Sequence, residues 1–261
     1  MDWGLIGTGV LASFLAGQAT TVGALPVFFM RSISSRTQNA FLGFAAGVML
    51  AASFFSLIIP GLEAAGDLHG GSKAVASLII GSAILLGAGT LHVVNRVAPH
   101  EHFISGPMAG AERSRLSRIW LFVIAISLHN FPEGLAVGVS FGSPDHTAGL
   151  ATAFGIGLQN VPEGLAVALS LAGVGYSRRF SFAVAVLTGL IEPFGGLLGI
   201  SAIAAASELL PWGLGFAGGA MLWVVSSEII PETHREQQEG VATFALMIGL
   251  VVMLSLDWIF G

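Results

Sequence analysis

The chain has 261 residues, 54 % of them hydrophobic and only 10 % charged, with 36 glycines and no cysteine. A mean hydropathy of +0.84 excludes an ordinary soluble domain, where roughly a quarter of residues are charged, and the missing cysteines exclude disulfides and thiolate ligands together. The net charge of −5 comes from acidic groups scattered over loops and apolar segments, and no basic patch supports nucleic-acid binding.

Eight segments are long enough to cross a bilayer, at about 20 mostly apolar residues each: roughly 3–30, 38–60, 74–95, 117–141, 147–174, 181–206, 211–231 and 240–260. This predicts an all-α polytopic membrane protein of eight transmembrane helices, a single domain over residues 1–261 with its longest loop at about 96–116. The first segment follows Met1-Asp2-Trp3, lacks a positive leader and is too long for a cleavable signal, so it is expected to persist as a helix. Span two carries Met49 within Gly43-Phe44-Ala45-Ala46-Gly47-Val48-Met49-Leu50, where the small residues predict close helix packing. Met49 reads from spacing as core filler or as a soft metal ligand. His92, near the inner end of span three, reads as an interfacial histidine.

Lysine and arginine near span ends set orientation. Arg31 and Arg36 follow span one, Arg96, Arg113, Arg115 and Arg118 follow span three, Arg178 and Arg179 follow span five, and Arg235 follows span seven. Lys73 alone falls on the other side. The split puts both termini outside. The outer loops hold Glu63, Asp67, His69, Asp145, His146 and Glu208, which read either as a negative mouth that concentrates cations or as solvated loop residues. His100-Glu101-His102 in the long inner loop reads as a weak metal-holding tract or as solvated loop.

Spans four and five contain a repeated motif. His129-Asn130-Phe131-Pro132-Glu133-Gly134-Leu135-Ala136-Val137 is nearly matched by Gln159-Asn160-Val161-Pro162-Glu163-Gly164-Leu165-Ala166-Val167. Ionisable groups inside a span cost a few kcal/mol each on insertion scales and are functional candidates by default. No lysine or arginine lies between Arg118 and Arg178, so a mobile cation is the simplest counter-charge. Residues three and four apart share a helix face, so Glu133 is flanked by His129 and Asn130, and Glu163 by Gln159 and Asn160. Each carboxylate could bridge two cation positions, one lined by His129 and Gln159, the other by Asn130 and Asn160. Pro132 and Pro162 deprive the carbonyls of Leu128 and Leu158 of partners and predict a kink or unwinding at each. Span six adds Glu192-Pro193, its only charge. Helix-gluing hydrogen bonds would explain a lone asparagine, but poorly explain three unpaired glutamates, an imidazole and three prolines at matching offsets. Asp257 near the outer end of span eight, and Glu228, Glu232 and His234 near the inner end of span seven, read as an entrance and an exit or as interfacial groups.

The paired motifs, followed by Glu192-Pro193, resemble the ZIP family of divalent metal transporters, and the glutamine opening the second motif resembles its bacterial GufA-type branch. The resemblance covers the whole chain. It implies a transporter of zinc, or of iron, manganese or cadmium, into the cytoplasm across the bacterial inner membrane, with no prosthetic group. The fold it implies is an eight-helix bundle in which an inverted repeat relates spans one to three to spans six to eight around spans four and five. His129, Glu133, Gln159, Glu163 and Met49 match the ligands of a main metal position; Asn130, Glu133, Asn160, Glu163 and Glu192 match an adjacent second one. Asn160 departs from relatives with aspartate there, and its neutral amide is expected to weaken the second position. The family also implies alternating access, the metal-carrying helices moving against the rest. Small-residue helix faces are compatible with a homodimer. The competing classes are an intramembrane metal-dependent hydrolase and a metal-binding membrane protein that does not transport. The hydrolase lacks His-Glu-x-x-His and has one deep histidine where zinc hydrolases use two or three.

Overall fold

In the computed structural model the described residues are 3–30, 34–97, 110–142, 146–233 and 239–260, and among them the chain is helical with no strand. The helices are α1 (Trp3–Ala24), α2 (Ser35–Ala51), α3 (Ile59–Leu68), α4 (Lys73–Val97), α5 (Gly110–Ser140), α6 (His146–Gly173), α7 (Arg178–Gly189), α8 (Glu192–Ala205), α9 (Leu210–Val224), α10 (Ile230–Thr233) and α11 (Glu239–Phe260). Ser34 caps α2 by accepting from Thr37 N, and Ser177 caps α7 by accepting from Phe180 N. Gly70 and Gly71, at φ +64° and +80°, turn the chain between α3 and α4, a left-handed path that glycine enters without steric cost. Helix α5 starts inside the loop expected at 96–116.

Among the described residues six helical segments are long and apolar enough to cross a membrane: Trp3–Phe28, Arg36–Leu68, Lys73–Val94, Arg178–Ala205, Ser207–Ile229 and Glu239–Ile259. Helices α5 and α6, 31 and 28 residues long, carry the two repeated motifs. Leu78, Leu85, Leu86, Phe194, Leu198, Phe244 and Val251 are exposed, whereas alanines and glycines dominate the buried faces. Large apolar groups outward and small ones inward is the arrangement of helices packed within lipid.

A kink or unwinding is expected at the motif prolines; the helix does not unwind at either. Helices α5 and α6 run on through Pro132 and Pro162. Backbone packing supports them there: the Phe131 carbonyl abuts Gly195 and the Val161 carbonyl abuts Gly23, each so close that a Cβ on the glycine would collide with it. Irregularity falls elsewhere. Span six breaks at Leu190 and Ile191, between α7 and α8. Ala52–Ile58 and Val225–Ile229 widen into π-helix just ahead of Pro60 and Pro231, whose missing N–H groups disturb the α register. Ile59 N reaches back five residues to Phe54 O, and Ile230 N likewise to Val225 O.

The helices sort into two groups. Helix α1 packs on α6, α7 and α8, and α5 packs on α8; separately, α2 packs on α11 and α4 on α9. The groups meet where α2 and α11 lie against α6, and α9 against α5. Glycine brings backbones together within each: Gly134 against the Glu192 carbonyl, Gly164 against that of Thr20, Gly47 against that of Leu246, and Gly87 against that of Phe216. At one end of the first group, Trp120 Nε1 donates to Tyr176 Oη (2.9 Å) and Arg178 Nη1 to the Phe28 carbonyl (2.6 Å).

Candidate metal site

The motif residues come from three helices of the first group: His129, Asn130 and Glu133 from α5, Gln159, Asn160 and Glu163 from α6, and Glu192 from the first position of α8. All seven are buried. The break before α8 places Glu192 at a helix N-terminus, where the aligned peptide dipoles favour a carboxylate. Its backbone is held by Ser13 Oγ, which donates to the Glu192 carbonyl at 2.9 Å.

Hydrogen bonds fix most of these side chains. Gln159 Nε2 donates to Glu133 Oε1 at 2.6 Å, linking the two motifs. Asn160 Nδ2 donates to Glu192 Oε1 at 2.7 Å and to the Ala16 carbonyl at 2.9 Å. Asn130 Nδ2 donates to the Thr188 carbonyl at 2.8 Å, at the end of α7 beside the break. The two asparagines thus anchor different helices. None of the carboxylates of Glu133, Glu163 and Glu192 has a lysine or arginine partner among the described residues.

Each donor is only partly used. His129 Nδ1, Asn130 Oδ1, Glu133 Oε2, Gln159 Oε1, Asn160 Oδ1, Glu163 Oε2 and Glu192 Oε2 are buried without a hydrogen-bond partner among the described residues. Buried polar atoms are normally paired, and burying a charge is costly unless it is compensated. Seven unpaired acceptors on seven motif residues fit a divalent cation in chemistry. Among the described residues, however, no three histidine, aspartate or glutamate side chains are grouped so as to hold an ion by themselves; Gln159 and Asn160 instead donate to Glu133 and Glu192.

His129 also meets a protein partner. Its Nε2 lies 2.9 Å from Glu228 Oε2, where a carboxylate oxygen accepts, so Nε2 donates and Nδ1 is left without a partner among the described residues. A carboxylate behind an imidazole fixes the tautomer and raises basicity for metal binding. Glu228 sits in the π stretch of span seven, so this contact crosses between the two helix groups. The sequence reads Glu228 as part of an inner exit or as an interfacial group; the structure adds its contact with His129. Met49 is buried in the core on α2, which packs on α6, and its carbonyl accepts from Ser53 Oγ at 2.7 Å. Asp257 Oδ1 accepts from Ser56 Oγ at 2.8 Å, and His92 packs edge-on against Trp223. Residues 100–102, Asp145 and His234 lie outside the described residues.

Sequence reasoning missed the contribution of α1. Ser13, the Ala16 carbonyl, Gly17 and Thr20 all face Asn160, Glu192 or the break in span six; their i, i+4, i+7 spacing was the available signal. It also missed a second repeat, Gly43-Phe44-Ala45-Ala46-Gly47-Val48-Met49-Leu50 against Gly215-Phe216-Ala217-Gly218-Gly219-Ala220-Met221-Leu222.

The family described as "ZIP Zinc transporter" matches residues 108–257. Zinc transporter GufA of Myxococcus xanthus is 47 % identical over 257 residues, covering 98 % of this chain and 100 % of its own. Zinc transporter ZIPB of Bordetella bronchiseptica is 47 % identical over 261 residues, covering 98 % and 82 %, and the human zinc transporter ZIP11 is 33 % identical over 328 residues, covering 95 % and 96 %.

Proposed function

This chain belongs to the ZIP family of zinc transporters, and on that premise we propose that it carries zinc into the cytoplasm through the seven-residue site on α5, α6 and α8. It is a multi-pass membrane transporter of divalent metal and not an enzyme, which sets aside the hydrolase and the non-transporting binder. The observation that carries the site is the set of seven buried acceptors without partners among the described residues, three of them carboxylate oxygens that lack a basic counter-ion there.

His129, Glu133, Gln159 and Glu163 are the ligands of the main position, with Met49 from α2; Asn130, Glu133, Asn160, Glu163 and Glu192 serve the second. Imidazole, carboxylate and amide donors with one thioether suit zinc, iron, manganese or cadmium better than soft copper or hard calcium. An arriving ion competes with the pairs that now occupy the donors, Gln159 with Glu133 and Asn160 with Glu192.

Eight spans are the full count. At 1.5 Å per residue α5 and α6 reach about 46 and 42 Å, ample for a hydrocarbon core of about 30 Å. An inverted repeat is supported by matched packing: α1 on α6 as α8 on α5, α2 on α11 as α9 on α4, and α2 against α6 as α9 against α5. The π stretches ahead of Pro60 and Pro231 and the repeated glycine-rich octets add to it. The arginine distribution puts both termini outside the inner membrane of a bacterium. Transport proceeds by the first helix group moving against the second, since glycine contacts tighten each group internally.

The test is uptake of zinc by proteoliposomes holding the purified protein, with cold iron, manganese, cadmium, copper and calcium as competitors. Saturable zinc uptake, reduced by the first three and not by calcium, is the expected result. Absence of flux in folded, inserted protein would overturn the proposal.

A further inference from the structure

Thr20 on α1 is fully buried, and its Oγ1 has no hydrogen-bond partner among the described residues. Several other helical hydroxyls return to the carbonyl one turn back: Thr8 to Gly4, Thr90 to Leu86, Ser127 to Val123; Ser181 on α7 shares with Thr20 a buried hydroxyl without a partner among the described residues. For Thr20 that carbonyl is Ala16's, which already accepts from Asn160 Nδ2 in addition to the helical N–H, so both lone pairs are in use. An unpaired buried hydroxyl costs stability that valine, of the same shape, would avoid.

The surroundings of Thr20 repeat those of Glu192 contact by contact. Four residues before Thr20, the Ala16 carbonyl accepts the amide of Asn160; four before Glu192, the Thr188 carbonyl accepts that of Asn130. The Thr20 carbonyl abuts Gly164, and the Glu192 carbonyl abuts Gly134. Three residues on, Gly23 meets the Val161 carbonyl and Gly195 meets that of Phe131. Gly17 and Gly189 each meet the other's carbonyl. A Cβ at Gly189 would stand 3.2 Å from Thr20 Oγ1, and one at Gly17 would stand 3.3 Å from Glu192 Oε1. Hydroxyl and carboxylate therefore occupy equivalent places on either side of the Gly17–Gly189 contact.

The two side chains differ in reach. Glu192 extends to Asn160, whereas Thr20 is shorter and makes no bond to Asn130, whose Oδ1 is likewise buried and unpaired. Two neutral oxygens are left on the side of the site opposite Glu192.

We propose that Thr20 is a further oxygen donor of the second metal position, its hydroxyl serving the cation from the place on α1 that mirrors Glu192 on α8. The proposal rests on the second position named above. A hydroxyl there adds a ligand without adding a fourth carboxylate, and charge count tunes how tightly a site holds its ion. An ion in transit has to leave.

The test compares wild type with Thr20→Val, Thr20→Ser and Glu192→Gln, as purified full-length protein, by zinc stoichiometry and affinity in equilibrium dialysis and by thermal unfolding with and without zinc. Thr20→Val is expected to unfold at or above the wild-type temperature without zinc, to bind the second zinc about tenfold more weakly, and to show a smaller zinc-induced rise in Tm; Thr20→Ser restores both. If Thr20→Val does not fold, Thr20→Ala is read for the same zinc quantities. Wild-type binding in Thr20→Val, while Glu192→Gln loses the second zinc, would overturn the role of Thr20 alone. A single zinc in wild type, or unchanged binding in Glu192→Gln, would overturn the second position itself.

Discussion

Gly134, next to Glu133, offers the sharpest perturbation that leaves every donor in place. Gly134→Ala would put a Cβ 2.6 Å from the carbonyl carbon of Glu192 and 2.7 Å from its Cα. The obstacle is backbone, with the Glu192 carbonyl oxygen nearer still, and it cannot rotate aside as a side chain can, so α8 must withdraw from α5 by more than about 1 Å to restore ordinary contact near 3.5–4 Å. Overpacking of this kind costs about 1–3 kcal/mol, offset by about 0.5–1 kcal/mol from the helix preference of alanine over glycine. The net loss, about 0–2.5 kcal/mol and centred near 1, corresponds to a fall in Tm of up to about 10 °C at 2–4 °C per kcal/mol for a chain of this order of size. Because ligand distances must hold to about 0.2 Å, zinc uptake should fall roughly tenfold or more as Glu192 moves off. Gly89→Ala is the control, since a Cβ there meets nothing within 4 Å. Thermal unfolding in detergent and uptake in proteoliposomes read the two effects. If Gly134→Ala unfolds and transports like Gly89→Ala, the inference that glycine seats α8 against the site is refuted.

Two further outcomes follow from the hydrogen bonds. Asn160→Asp removes the donor that holds both Glu192 Oε1 and the Ala16 carbonyl and sets a fourth carboxylate against three, so metal-free protein should lose about 1–3 kcal/mol while the zinc-induced rise in Tm grows; unfolding curves at several zinc concentrations check both signs. Glu228→Gln weakens the carboxylate support of His129, and loss of such support typically costs 10–100-fold in metal affinity; zinc affinity by equilibrium dialysis should fall within that range, and an unchanged value would show that the contact does not support metal binding.

The polar residues of spans four to six were legible because each is expensive in hydrocarbon and because the two motifs repeat at one spacing. Gln159 with Glu133, and Asn160 with Glu192, meet as a shared site requires. The role of α1 was not legible: serine and threonine hydroxyls are satisfied by their own helix so often that Ser13 and Thr20 carry no local signal, and the occupied Ala16 carbonyl is what marks Thr20. The effect of the prolines was legible only in part. A missing N–H predicts disturbance, but glycine packing steadies α5 and α6, and the irregular turns fall before Pro60 and Pro231 and at Leu190 and Ile191. Glu228 was assigned by its depth in span seven, and its pairing with His129 depends on how the two helix groups meet, which no local pattern encodes.

The most direct measurement is zinc flux into proteoliposomes by wild type, Glu133→Gln and Glu163→Gln at matched protein insertion. Glutamine keeps the shape of glutamate, and at position 133 its carbonyl can still accept from Gln159, so the change isolates the charge. The account predicts saturable flux in wild type and its collapse in both variants with folding intact. Wild-type flux in either variant would contradict passage of the metal through the repeated motif.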